Sequence, residues 1–356
     1  MHAESANASE FQPDFDLEAC RRLMRGGSKS FFAASLLLPA RVRAPATALY
    51  AYCRLADDAI DLGADPDAAM GELCGRLDAI YAGRPGGADE DRALACVVHH
   101  HRIPRTLLDA LLDGFLWDAQ GRRYETLAEV QDYAARVAGT VGAMMSLVMG
   151  TAAPNALARA CELGVAMQFT NIARDVGEDA RNGRLYLPRQ WLRDAGIDPD
   201  AWLANPVFDA RIGAVTERLL AEADALYARA ENGIAALPRD CRPAIRAARL
   251  IYAEIGHELR RRGHDSVSQR VVVSRQRKIA LLARASGAAL VTPGSAGTAL
   301  PPLPAIQYLV DASQAPEAAT MPSRSFDERV VWLIDLFERQ KVASRQRRNP
   351  WAAGSS

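Results

Sequence analysis

The sequence predicts an all-α protein, and three observations carry that reading. Apolar residues recur at helical spacing through most of the 356 residues, with Ala, Leu and Arg dominating. Alternating apolar and polar runs bounded by hairpin turns are almost absent, so no sheet is expected. Prolines and glycines fall between periodic segments, at Pro39, Pro45, Gly63 to Pro66, Gly83 to Gly87, Pro104, Pro154, Pro188, Pro199, Pro206 and Pro238, as short connections in a helical bundle require. No internal repeat of solenoid length is evident.

Composition narrows the function classes. Lys plus Arg and Asp plus Glu stand at 43 each, so no global basic field gathers nucleic acid and electrostatic binding must be local. The six cysteines, Cys20, Cys53, Cys74, Cys96, Cys161 and Cys241, form no CxxC pair. In a chain too large to need disulfide staples they read as free thiols of a reducing compartment. Residues 1–15 mix Ala, Ser, Asn and acids without a basic start or an apolar core, which predicts a disordered terminus rather than a signal or anchor, and a cytoplasmic location. Val137 to Ala158 carries no charge and has the length of a membrane span. Its Gly139, Thr140, Gly142, Ser146, Gly150, Thr151 and Pro154 leave it only mildly apolar, closer to a helix buried in a large bundle.

Along the chain, the first informative segment runs from Tyr50 to Asp61. Asp57 and Asp61 are four apart and share a helix face, with Arg54 one turn earlier. Like charges at that spacing destabilise a helix by a few tenths of a kcal/mol, so a cation between them would explain the pair. Alone, such a pair is equally an exposed acidic face. A second segment, Gln168 to Asp179, repeats the spacing in Asp175 and Asp179 and adds Gln168 and Asn171 upstream. At about 100° per residue these four positions fall within a sector of about 80°. Phe169, Ile172 and Val176 beside them are apolar, which sets the stripe into a bundle interior. Two acidic stripes on separate helices facing a cavity can hold Mg²⁺ through one or two carboxylates each, leaving positions for water and substrate phosphates. Diphosphate chemistry uses every part. Arg54, Arg174, Lys29 within Ser28-Lys29-Ser30-Phe31, Arg270 and Lys278 are the candidate diphosphate-binding cations.

Asn182-Gly183 supplies the turn of a flap after Asp179. His99, His100 and His101 are consecutive and cannot share one site, so they read as a solvated helix end. No P-loop, dinucleotide glycine fingerprint or GxSxG elbow is present. After about Ala285 the composition shifts to Gly, Ala, Thr and Pro, so the catalytic domain is expected over 16–285 and a mobile linker over 286–325. Residues 326–356 are expected to form an amphipathic helix, with Phe326, Val330, Leu333 and Phe337 on one stripe, followed by the basic cluster Lys341, Arg345, Arg347 and Arg348. Packing on the body and contact with a membrane surface are both open to it.

Five motifs occur in the order seen in one family: Ser28 to Phe31, the Asp57 segment, Tyr133 to Gly142, the Gln168 segment and Gly183 to Pro188. On these the chain resembles the phytoene/squalene synthase family over roughly residues 16–285. The run Asn171 to Pro188 and the tract Ala247 to Tyr252 are most similar to its bacterial phytoene-forming members. The resemblance implies a single large helical bundle, isoprenoid synthase-like, around a deep apolar pocket where two geranylgeranyl diphosphates condense head to head through prephytoene diphosphate. It implies Mg²⁺, with Mn²⁺ as a substitute, held by Asp57, Asp61, Asn171, Asp175 and Asp179. Arg54, Arg174 and Tyr133 would join the catalytic set. Ser28, Lys29, Phe31, Gln168, Tyr186, Tyr252 and Arg270 would bind substrate, with Ala138, Val141, Gly142 and Met145 lining the pocket. Small residues on a buried helix do leave space for a prenyl chain. Association with enzymes that consume the carotenoid precursor, and peripheral contact with a membrane's inner face for product release, follow from the same resemblance.

Three other readings share features with this one. Squalene or dehydrosqualene synthases use the same acidic motifs on farnesyl diphosphate. A family member that has lost catalysis and serves as a lipid-binding or assembly protein should show broken acidic motifs, and here both are intact. A terpene cyclase or chain-elongating prenyltransferase also pairs acidic helices, but the Val137 to Gly142 and Gly183 to Pro188 segments point away from both.

Overall fold

Residues with strong helix propensity fill most positions, and in this computed structural model, which describes residues 17–27, 29–62, 65–288 and 300–314, the elements are helices joined by short turns and loops with no strand among the described residues. In chain order the helices are α1 (Leu17–Gly27), α2 (Lys29–Ser35), α3 (Ala40–Leu62), α4 (Pro66–Tyr81), α5 (Asp89–His100), α6 (Arg105–Ala119) and α7 (Leu127–Ala134). A π-helical turn, Ala135–Gly139, leads into α8 (Thr140–Val148), followed by α9 (Pro154–Arg181), α10 (Arg189–Asp194), α11 (Pro199–Ala204), α12 (Ala210–Ile234), α13 (Arg242–Arg261) and α14 (Arg275–Ala288). A 3₁₀ turn, Pro304–Ile306, opens α15 (Gln307–Gln314). Local chemistry starts several of these helices. Asp65 caps α4 by accepting from the backbone of Asp67 and Ala68, with Pro66 in the first turn. Thr126 and Glu129 close a capping box on α7.

Most of the expected breaks hold, but Pro45 lies inside α3 rather than between helices. Only its first turn and a half precedes this proline, so the helix forgoes few of its backbone hydrogen bonds there. The uncharged stretch from Val137 to Ala158 is not one helix: the π-turn, α8 and a turn at Gly150 (φ 80°) divide it before α9 begins. Among the described residues no helix is long and apolar enough to cross a membrane.

The 28 residues of α9 form the axis of the fold. It is buried along most of its length, against α12, α8, the π-turn and α13. Two glycines allow the closest of these approaches. A β-carbon at Gly142 would overlap the carbonyl of Ala160, and one at Gly164 the carbonyl of Ala138. The α9 backbone therefore lies directly against the π-turn and α8.

The expected mobile linker over 286–325 differs from what the described part of it does. Helix α14 continues to Ala288, and residues 300–314 belong to the same compact unit as the body. Ile306, Leu309 and Val310 are buried, Ile306 and Leu309 resting against Gly139. The Gly, Pro and Thr composition concealed three apolar anchors at helical spacing. Residues 1–15, 289–299 and the 326–356 helix with its basic cluster lie outside the described residues.

Gly164→Ala is expected to lower the stability of the protein by about 1–3 kcal/mol, the usual penalty of overpacking, read as a lower denaturant midpoint. An unchanged midpoint would mean that α9 and the π-turn are not in contact.

Candidate active site

Three groups of residues meet along α9: an apolar cavity beside its middle, an acidic and basic cluster at its C-terminal end, and a cluster of tyrosines next to that end. Ala138, Val141, Gly142 and Met145, which the resemblance implies as pocket residues, line the cavity. Leu163, Gly164 and Met167 line it from α9, and Gln168, Asn171 and Tyr252 stand toward Asp175. The amide of Asn171 donates to Gln168 Oε1 at 3.4 Å, so the two form a small polar step where the apolar wall ends.

At the acidic end, Arg270 donates to both oxygens of Asp175, Nε to Oδ1 at 2.8 Å and Nη2 to Oδ2 at 3.2 Å. The neighbouring Arg174 grips the same carboxylate, with Nε 2.8 Å from Oδ1. Arg270 arrives there because residues 266–270 dock onto α9 at Gly177. The Gly177 N–H donates to Ser266 O (3.0 Å) and Arg181 Nη1 to Val267 O (3.1 Å), while a β-carbon at Gly177 would overlap the Val267 backbone. The buried carboxylate of Glu254 on α13 joins α14 to this region by accepting from Arg261 (2.7 Å) and Arg277 (3.0 Å). Burial opposes its ionisation, yet Arg277 and Arg261 hold its carboxyl down to about 2.

On α3, Arg54 bridges Asp57 at 3.2 Å and Asp58 at 2.5 Å. Tyr50, one turn before Arg54, has its phenol raised by burial and senses both Arg54 and Tyr252, and Tyr252 in turn acts on Arg174. Ser28 and the side chains of Lys29, Phe31 and Asp61 lie outside the described residues. Lys29 and Phe31 belong to α2, whose Ala34 and Ser35 line the cavity.

The tyrosine cluster contains a residue that sequence reading missed. Asp118, near the end of α6, accepts from Tyr133 Oη and Tyr186 Oη, each at 2.7 Å. The two rings stack at 5.1 Å, with Tyr124 against both at 5.3 and 6.2 Å. Burial first, then the Asp118 carboxylate, raises the phenols of Tyr133 and Tyr186 far above their ordinary range, so both stay protonated donors. Asp118 and Tyr186 are 68 residues apart, so no short pattern pairs them.

Among the described residues no three acidic, histidine or cysteine side chains converge on one point as a metal cage. The donor set nonetheless suits a hard cation, since Asp57, Asp175, Asp179 and Asn171 all offer oxygen. Around Asp179 the negative charge is in excess: burial, then Asp175, push its carboxyl to about 7 against the opposing Arg184, with Asp118 and Glu178 adding to the effect. A divalent cation there would offset that crowding.

Residues 24–277 match the Squalene/phytoene synthase family. The chain is 49% identical over 346 residues to the phytoene synthase of Cereibacter sphaeroides, covering 93% of this chain and 96% of that one. It is 54% identical over 304 residues to the phytoene synthase of Rhodobacter capsulatus, covering 84% and 90%. A crystal structure of a dehydrosqualene synthase superposes with a TM-score of 0.70 at 31% identity, over 77% of this chain and 96% of that one. A squalene synthase from Alicyclobacillus acidocaldarius gives 0.65 at 26% identity, over 70% and 94%. With its all-helical fold, its two acidic motifs and most of its length matched, the chain belongs to the squalene/phytoene synthase family.

Proposed function

We propose that the protein is a phytoene-forming prenyltransferase, which condenses two geranylgeranyl diphosphates head to head with release of both diphosphates. Relatives at 49% and 54% identity bear the name phytoene synthase. The observation that carries the substrate length is the reach of the cavity along α9. From Asn171 to Ala156, both of which line it, fifteen residues at 1.5 Å each make about 22 Å. An isoprene unit extends about 5 Å at carbon–carbon bonds of about 1.5 Å, so a geranylgeranyl chain needs about 20 Å and a farnesyl chain only about 15 Å. The twenty-carbon chain reaches from the polar step to the far end.

In this reading Asp57, Asp61, Asp175 and Asp179, with Asn171, hold Mg²⁺, and Mn²⁺ can take its place. The metal supplies charge neutralisation for the departing diphosphate. Arg54, Arg174 and Arg270 would add guanidinium groups for the phosphate oxygens, the last two being held on Asp175 at the acidic end. The carbon–oxygen bond of the first substrate breaks with its electron pair going to diphosphate. The double bond of the second substrate attacks the allylic cation, and loss of a proton closes the cyclopropane of prephytoene diphosphate. A second ionisation, rearrangement and a final proton loss give phytoene, with no hydride added. The walls from Ala138 to Met145 exclude water that would quench the cations. Asp118 orients Tyr133 and Tyr186 beside the acidic end, where their ring faces favour positive charge.

A forty-carbon hydrocarbon cannot diffuse through water, so release goes to a membrane and to the enzymes that consume it, with residues 326–356 as the contact. The full chain is expected to float with lipid vesicles and a chain lacking 326–356 to stay behind; a full chain that stays behind would remove this contact.

Purified protein given geranylgeranyl or farnesyl diphosphate without nicotinamide is expected to yield a forty-carbon hydrocarbon in Mg²⁺ and none in chelator, identified by mass. A thirty-carbon product from farnesyl diphosphate alone would move the assignment to dehydrosqualene synthesis. Asp118→Asn is expected to cut kcat about 10–100-fold, the usual cost of removing a group that orients others at a site, with KM changed little. Wild-type kcat in that variant would deny Asp118 its positioning role.

A further inference from the structure

The far end of the cavity is charged, which its apolar walls do not lead one to expect. Arg159 lines it together with Ala156, Gly233 and Ile234. Only 6% of Arg159 is exposed, and among the described residues its Nε has no hydrogen-bond partner. Behind it lies Glu162, which is fully buried. Arg159 Nη2 donates to Glu162 Oε1 at 2.8 Å and reaches the carbonyls of Leu300 and Pro301 at 3.4 Å each. Glu162 also accepts from Arg229, Nη2 at 2.6 Å and Nε at 3.1 Å, and from the backbone N–H of Leu303 at 3.1 Å. Arg229 closes the network by donating to Pro301 O at 2.5 Å. On the other side, Gly233 of α12 touches the stem of Arg159 so closely that a β-carbon would overlap it.

A floor of Leu or Met could yield to a longer ligand by changing rotamer. Arg159 cannot, because moving it takes one cation from a fully buried carboxylate and releases two carbonyls. The position of this floor coincides with the end of an extended twenty-carbon chain. A fifth isoprene unit would bring the chain to about 25 Å at ordinary carbon–carbon bond lengths, more than the roughly 22 Å of α9 that lines the cavity, and would press on Arg159 and Ala156 at its end.

We propose that Arg159, held from behind by Glu162, Arg229 and residues 300–303, is the stop that sets the longest prenyl chain the enzyme accepts. The inference rests on the twenty-carbon reading above. It gives the 300–314 segment a part in specificity, since that segment supplies the carbonyls and the N–H that complete the network.

The experiment compares kcat/KM for geranylgeranyl diphosphate and for geranylfarnesyl diphosphate, one isoprene unit longer, in wild type and Arg159→Met. Glu162 keeps Arg229 and the Leu303 N–H in that variant. The preference for the shorter substrate is expected to fall about tenfold or more, as pocket discrimination against extra carbons allows. Arg229→Gln, which loosens the network without touching the cavity, should move the same ratio in the same direction by less. A purely structural role would depress both substrates alike, and an unchanged ratio in folded Arg159→Met overturns the proposal. Should Arg159→Met fail to fold, Arg159→Lys carries the same readout with the charge retained. Wild type that turned over only farnesyl diphosphate would instead overturn the twenty-carbon reading, and the proposal with it.

Discussion

Everything in this fold is arranged around the burial of α9, a helix that carries charge at both ends and must sit inside the protein. A buried ion has to be answered by an opposite charge or it destabilises the folded state severely. At the N-terminal end, Arg159 and Arg229 answer Glu162. At the other, Arg174 and Arg270 answer Asp175, while Asp179 is left among like charges with its carboxyl raised to about 7. The charge is thereby confined to two places, and the turns between them are free to line an apolar space. The segments that complete the ends, 266–270 at Gly177 and 300–303 at Glu162, come from far along the chain because neighbouring sequence cannot supply those partners.

The π-turn solves a problem of phase. Continuing α7 as an α-helix would place residues 137, 140 and 141 on the face of Tyr133, at steps of four, seven and eight. One inserted residue moves that face to 138, 141, 142 and 145, which line the cavity together with Val137. Tyr133 can then reach Asp118 while the residues after it present small side chains to the substrate space. Such insertions in helices recur at functional sites for this reason. Gly139 closes the arrangement from outside, where Ile306 and Leu309 pack against it.

Sequence reasoning reached the parts of this protein that are written locally. Helical periodicity and turn residues were sufficient for the all-α class, and the four-residue carboxylate spacing for the polar stripe on α9. The pocket residues Ala138, Val141, Gly142 and Met145 came from the family resemblance, with which an uncharged run rich in Gly and Ala agrees. What stayed hidden depends on distance along the chain. Asp118 gains its role only when Tyr133 and Tyr186 fold onto it, and Glu162 only when Arg229 and Leu303 arrive. Residues 300–314 looked like a linker because their attachment uses three apolar side chains and backbone groups, neither of which alters composition. The π-turn leaves no distinctive mark, since Ala135, Arg136 and Ala138 are good helix formers and Val137 and Gly139 also occur within ordinary helices.

The separation of polar and apolar lengths along α9 also explains how one cavity serves two opposed demands. Ionising an allylic diphosphate needs strong local charge, whereas the cation it leaves survives only away from water and nucleophiles. Polar lining stops at Gln168, and Met167, Gly164 and Leu163 follow it. In the proposed binding mode the reacting carbons, which adjoin the diphosphate, would fall within about one helical turn, some 5 Å, of that boundary. Beyond that boundary the lining is mostly Gly, Ala, Val, Leu and Met, which offers room and no charged group before Arg159. The next charged lining residue is Arg159, and it is a cation itself, so it repels positive charge rather than trapping it. Under the proposal above, a charge placed at the end away from Gln168 would define length without entering the chemistry.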